Sequence, residues 1–326
     1  MNGRPAILCP IDFSDASLGA LRYARAIAEH VAGRLVILAV EDPLLTEAAA
    51  LGTATVRNPG ATRHELARFA SRALHGNPLK GIDVDYAVRV GKPAKQILHV
   101  AQEEACGLIV MSTLGLARMR KRFFRSTTER VLRETTIPVL ATPPADEGPR
   151  SFEDIRRSVG RILIPVDLTD ASLHQLRVGR RIAEALSVPF LATSVVEPVR
   201  TPLAAKLHLP SIELERTTRA EDALAELLAT GLRQPHPEAL VSYGDPAEEI
   251  VKIARDRRAG LIVIGLHGSP LGPHKASVTH RVLCLAPALV LALPPLPAAA
   301  RAAATAPGSV WSSAATTFAA VRQPSP

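Results

Sequence analysis

The chain has 326 residues, enough for about two domains at roughly 150 residues each. Apolar residues make up 47%, which supplies ample core and excludes wholesale disorder; one tryptophan, three tyrosines and seven phenylalanines leave little for the stacking platforms of an RNA or single-strand binder. Basic residues exceed acidic ones by eight, and Cys9, Cys106 and Cys284 lie too far apart for redox or metal-ligand spacing, which excludes a disulfide scaffold and points to a reducing compartment.

In chain order, residues 6–11 form an apolar run broken only by Pro10 and ended by Asp12, the pattern of a strand buried on both faces. Ser14 caps the helix that follows, with Asp15 in its positive first turn. Leu18, Leu21, Ala24, Ile27, Ala28 and Val31 form its apolar stripe, and Gly33 is the expected stop. Strands are predicted over 34–40, 84–90, 108–112 and 138–141, and helices over 62–74, 93–104 and 127–133. Strands alternating with helices give a parallel sheet covered on both faces.

The chain is then written again. Residues 7–18, ILCPIDFSDASL, return at 162–173 as ILIPVDLTDASL, eight identities in twelve at an offset of 155. GKPAKQI (91–97) is answered by GDPAEEI (244–250), GLIV (107–110) by GLIV (260–263), and TERVL (128–132) by THRVL (279–283). A period this long means two homologous domains in tandem. The expected division is domain one over 1–142, a linker over 143–158, domain two over 159–293 and a flexible Ala/Pro-rich tail over 294–326.

Ligands of open parallel sheets sit beyond the carboxyl ends of the strands, where strand order reverses. Asp12 and Asp167 end the first strands of the two copies, and Val40 and Val195 end the second. After the fourth strand, a long loop leads to a helix whose first turn offers Ser126 and Thr127, or Ser277, at a phosphate-binding position.

With these residues the sequence resembles a tandem universal stress protein of the UspA type over both copies. The resemblance implies two Rossmann-like domains of the adenine nucleotide alpha hydrolase kind, each a five-stranded parallel sheet flanked by helices. It implies ATP or another adenine nucleotide as ligand, with the aspartate and valine at the nucleoside. The family's phosphate signature is G-x2-G-x9-G-[ST]. The first copy reads Ser112, Gly115, Arg125, Ser126, and an arginine there obstructs close backbone approach. The second reads Gly265, Gly268, then Ala276 and Ser277 after a loop two residues short, stiffened by Pro270 and Pro273. The second domain is accordingly the better candidate. The family analogy also implies an intramolecular pseudo-dimer of the two domains, and homodimers.

The run RMRKRFFR (118–125) is a polyanion site or a solvated loop pinned by its phenylalanines; specific nucleic-acid binding is not expected without a groove-reading motif. His267, His274, His280 and Cys284 match no common zinc spacing, and the cysteines are expected to be buried and inert. No secretory leader is expected. Residues 282–300 are uncharged, but Pro287, Pro294, Pro295 and Pro297 argue against a membrane helix. No P-loop, GxGxxG, GxSxG or HExxH occurs. The resulting expectation is a cytoplasmic, non-enzymatic stress-response regulator; a ligand-free protein-interaction module and a weak ATPase in the same pocket stay open beside it.

Overall fold

A computed structural model describes residues 4–41, 59–74, 82–113, 127–143, 148–169, 171–198, 210–232, 237–266 and 278–295. The chain divides into two compact units between Arg157 and Ser158.

In the first unit the order is β1 (Ala6–Ile11), α1 (Asp15–His30), β2 (Arg34–Glu41), α2 (Pro59–Ala73), β3 (Asp83–Val90), α3 (Pro93–Glu103), β4 (Cys106–Ser112), α4 (Thr127–Glu134) and β5 (Val139–Thr142), followed by α5 (Phe152–Val159), which runs across the division. Its strands lie in the order β3-β2-β1-β4-β5 and pair in parallel. The central strand β1 has Ile7, Leu8 and Cys9 fully buried, as its apolar run requires. The edge strand β3 instead carries Asp83, Asp85 and Arg89 and stays half-exposed, a charged edge that discourages pairing with other chains.

The second unit repeats this plan with β6 (Ile162–Pro165), α6 (Ala171–Leu186), β7 (Phe190–Val196), α7 (Pro210–Gly231), β8 (Glu238–Tyr243), α8 (Pro246–Asp256), β9 (Leu261–Gly265), α9 (Val278–Leu285) and β10 (Leu289–Leu293). The strand order is β10-β9-β6-β7-β8, again in parallel. The α/β class and the sheet are as the repeat implies.

Three details differ from the sequence reading. First, α1 is not stopped by a glycine in the left-handed region: that conformation belongs to Ala32, at φ +49°. Gly33 follows it, donating to Ala28 O at 2.8 Å, and a Cβ on Gly33 would lie 2.5 Å from Pro5 O. Its glycine is needed for close approach to the chain entering β1. Ala105, Ser187 and Arg258 end other helices in the same left-handed way. Arg258 is exposed, with φ +52°, so Arg258→Gly is expected to stabilise the protein by about 0.5–1 kcal/mol, read as a raised urea midpoint.

Second, the segment expected as a linker ends in a helix. Ser151 and Asp154 form a reciprocal cap at the start of α5, Asp154 N donating to Ser151 Oγ at 3.3 Å and Ser151 N to Asp154 Oδ2 at 3.0 Å. The buried Arg25 guanidinium holds the entry to this helix, donating to Arg150 O at 2.9 Å while pairing with Glu29 at 2.7 Å. Phe152 stacks on His30 with ring centroids 3.6 Å apart. The segment is therefore anchored to α1.

Third, Cys284 is exposed, contrary to the expectation of three buried thiols; Cys9 and Cys106 are buried. Burial pushes both of those up, Cys106 to about 12, so they stay protonated and unreactive.

Candidate functional site

The βα turn that follows the first strand is built identically in the two units. Asp12 Oδ1 accepts from Ser14 N at 3.0 Å, from Ser14 Oγ at 2.5 Å and from Ser17 Oγ, while Asp12 N donates to Ser17 Oγ at 3.2 Å. Asp167 Oδ1 accepts from Thr169 N at 3.1 Å, Thr169 Oγ1 at 2.7 Å and Ser172 Oγ at 2.6 Å, and Asp167 N donates to Ser172 Oγ at 3.2 Å. The residue after each aspartate, Phe13 or Leu168, sits at positive φ, 63° and 61°. A non-glycine residue in that region costs on the order of 1 kcal/mol, which the hydrogen-bonded carboxylate offsets. Each turn thereby carries its aspartate at the mouth of the sheet.

Ser17 and Ser172 were missed as site residues. The signal was present in the DASL that both copies share. Burial pushes the Asp12 carboxyl up, but the bonds from Ser14 and Ser17 outweigh it and hold the group below the usual aspartate range. The stability it contributes is complete above the unfolded aspartate value, roughly 3.9, and is lost as pH falls through the lower folded value. An acid titration followed by circular dichroism is expected to lose a component below about pH 4 that Asp12→Asn removes.

Register brings the second strand alongside. Ile11 pairs with Ala39 and Pro165 with Thr193, so Val40 and Val195 come next to the aspartates, one residue before β2 and β7 end. At the other side of the switch point, Ser112 and Gly265 are the last residues of β4 and β9. Two threonines, again unassigned from sequence, fix the helices that follow: Thr128 Oγ1 donates to Ser112 O at 3.3 Å, and Thr279 Oγ1 to Gly265 O at 3.0 Å. The remaining signature positions, Gly115, Arg125, Ser126, Gly268, Ala276 and Ser277, lie outside the described residues, as do residues 118–125, His267, His274 and the Ala/Pro-rich tail from 296 onward.

In the second unit these strand ends line a cavity of about 710 Å³, with Asp167, Val195 and Gly265 brought together in its wall. It lies where β6 pairs with β7 on one side and β9 on the other, which is the topological switch point. Leu168, Val196, Ile250 and Ile264 supply apolar wall, while Arg216 and Arg219 enter from α7. The start of α9 is further held by Arg281, which reaches Asp245 Oδ2, at the cap of α8, at 2.6 Å and Glu248 Oε1, in its first turn, at 3.3 Å. Arg281 beside it holds the Asp245 carboxyl below its usual range. In the first unit Lys92 takes the place of Asp245 and makes no side-chain cap.

The universal stress protein family model matches residues 4–143 and again residues 158–294. The chain belongs to the universal stress protein family. Among curated proteins it is similar to a universal stress protein of Thermus aquaticus, 31% identical over 134 residues, covering 41% of this chain and 95% of that one. It is also similar to universal stress protein MJ0577 of Methanocaldococcus jannaschii, 26% identical over 148 residues, covering 41% and 91%. Among solved structures, a universal stress protein of Archaeoglobus fulgidus aligns with a TM-score of 0.58 at 18% identity over 89% of this chain and 96% of the other. A functionally unknown protein of Pseudomonas aeruginosa, PA1789, aligns at 0.59 with 20% identity over 90% and 93%. These last two likenesses establish the fold.

The two universal stress protein units differ around the strand ends. In the first, Phe13 packs edge-on against Phe69 of α2, centroids 5.4 Å apart, and Glu41 at the end of β2 accepts a hydrogen bond from the buried Thr62 of the same helix. In the second, the matching Leu168 and Val196 line the cavity, and α7 reaches the strand end through Arg216, whose guanidinium donates to Glu197 O at 2.9 Å. Among the described residues, no group of three or more His, Cys, Asp or Glu side chains could hold a metal, and no helix is long and apolar enough to cross a membrane. His280 and Cys284 stand 4.0 Å apart on α9.

Proposed function

We propose that this universal stress protein is a cytoplasmic, non-enzymatic regulator whose second unit binds an adenine nucleotide such as ATP, and whose first unit contributes to assembly. The observation that carries this reading is the cavity at the switch point of the second unit. Its volume of about 710 Å³ lies in the range of small-ligand sites. Asp167 suits a nucleoside hydroxyl or base N–H, the backbone beside Val195 an adenine edge, and Gly265 close approach of the chain toward phosphate. Gly268, Ala276 and Ser277 would complete the phosphate side. Gly265, which the first unit replaces with Ser112, supports assigning the ligand to the second.

The two matches to one family model support pairing of the two units within a chain, with homodimers as a further step. Sedimentation of the intact protein tests the latter. Nucleotide binding is tested by denaturing protein purified without added nucleotide, identifying any released small molecule, and titrating ATP, ADP and AMP calorimetrically. Saturable heat with at least one of them is expected. No released nucleotide and no heat would overturn the reading in favour of a ligand-free interaction module.

A further inference from the structure

The cavity of the second unit contains a residue that neither the family signature nor the repeat explains. Gln175, on α6, is 3% exposed and lines the cavity. The first unit has Ala20 at the same offset. The Gln175 amide nitrogen donates to two backbone carbonyls, Pro165 O of β6 and Val263 O of β9, the latter at 2.9 Å. Those strands pair directly only at Ile162–Leu261 and Leu163–Ile262. Beyond that point the amide bridges them where they part.

This bridge fixes the chemistry that remains. A primary amide has two N–H donors and one carbonyl acceptor. Two carbonyl partners can be served only by the nitrogen, so the orientation of the amide is decided and both donors are committed. What Gln175 has left for the cavity is Oε1, an acceptor. An acceptor on the wall of the cavity takes a donor from a ligand, and a phosphoryl oxygen at neutral pH has none to give. Pro165 ends β6 two residues before Asp167, and Val263 lies two residues before Gly265, the last residue of β9, about 7 Å of extended chain in each case. The amide is thereby fixed between β6, which leads to Asp167 on the nucleoside side, and β9, which leads to Gly265 on the phosphate side, and both of those residues line the same cavity.

We propose that Gln175 is a specificity-determining residue of the second unit, its Oε1 accepting from a ribose hydroxyl so that the site selects ribonucleotides over hydroxyl-free analogues. This rests on the nucleotide reading above and adds the sugar requirement to it. The test compares ATP with 2′,3′-dideoxy-ATP by calorimetry on the intact chain and on Gln175→Ala. The intact protein is expected to bind the dideoxy compound at least roughly tenfold more weakly, and Gln175→Ala to lose about tenfold of that discrimination, one hydrogen bond's worth, with any remainder belonging to Asp167. Because Gln175→Ala also frees two backbone carbonyls, the intact protein supplies a second readout: the Gln175 side-chain carbonyl carbon is expected to shift in NMR spectra on addition of ATP and not of the dideoxy compound. Equal affinity for the two nucleotides, discrimination unchanged in Gln175→Ala, or equal shifts would overturn the Gln175 assignment and leave nucleotide binding standing. Absence of binding by both overturns the two together.

Discussion

Asp167→Ala is expected to cost roughly 2–4 kcal/mol of stability in the second unit and to remove its nucleotide affinity. Three donors converge on Asp167 Oδ1, and the substitution leaves them without that acceptor; Ser172 is fully buried, so water cannot readily replace it. The same carboxylate offsets the left-handed Leu168, so the turn that presents the site relaxes with it. Asp167→Asn separates the two effects. Its amide oxygen still accepts in the turn, and most stability is retained, while the charge offered to the ligand is gone. Urea unfolding paired with ATP titration on the two variants measures this. Equal stability of Asp167→Ala and the parent protein would contradict the account of the turn.

Gly260→Ala is expected to be comparably damaging for a purely steric reason. A Cβ at this position would run into Ser158 O, with Val159 Cα at 2.7 Å. Both obstacles are backbone and cannot swing aside as a side-chain end would. Gly260 also donates to Val159 O at 2.9 Å and to Arg161 O at 3.1 Å, and its carbonyl accepts from Leu289 N at 3.1 Å. Displacing it loosens the start of β9 and its neighbour β10 together. The expected loss is about 3 kcal/mol, at the upper end of overpacking effects, read as a lowered urea midpoint. A change within about 0.5 kcal/mol would mean the chain near Ser158 yields more easily than its hydrogen bonds suggest.

These two positions mark what sequence could and could not disclose. The strands and helices were legible because their burial is periodic: β1 reads as one apolar run and α1 as one stripe. Asp167 was legible through its repetition at Asp12. Gly260 was visible only as the first letter of the repeated GLIV, with nothing local to say that backbone lies against it. Gly33 was read as a helix stop through its residue type, whereas the left-handed position is Ala32 and the glycine is required by contact with Pro5. The helix at 152–159 had a signal in Ser151-x-x-Asp154, masked by the proline- and glycine-bearing stretch before it. Gln175 had none: its partner Val263 lies 88 residues away, and a single-copy glutamine on a helix reads as surface.

The positive excess also has a place. Arg118–Arg125 contributes five basic residues to one copy, where the second has only Lys275 and His274. Together with the arginine at position 125, this makes the repeats unequal in charge and in their phosphate signatures, the first basic, the second keeping Gly265 and Gly268.

That inequality leads to the most direct test. Intact protein is to be photolabelled with 2-azido-ATP, with and without excess ATP, and digested for peptide mapping. The account predicts ATP-protected label in the second unit, on peptides carrying the ends of β6, β7 or β9. Protected label confined to the first unit, or none that ATP suppresses, would contradict it.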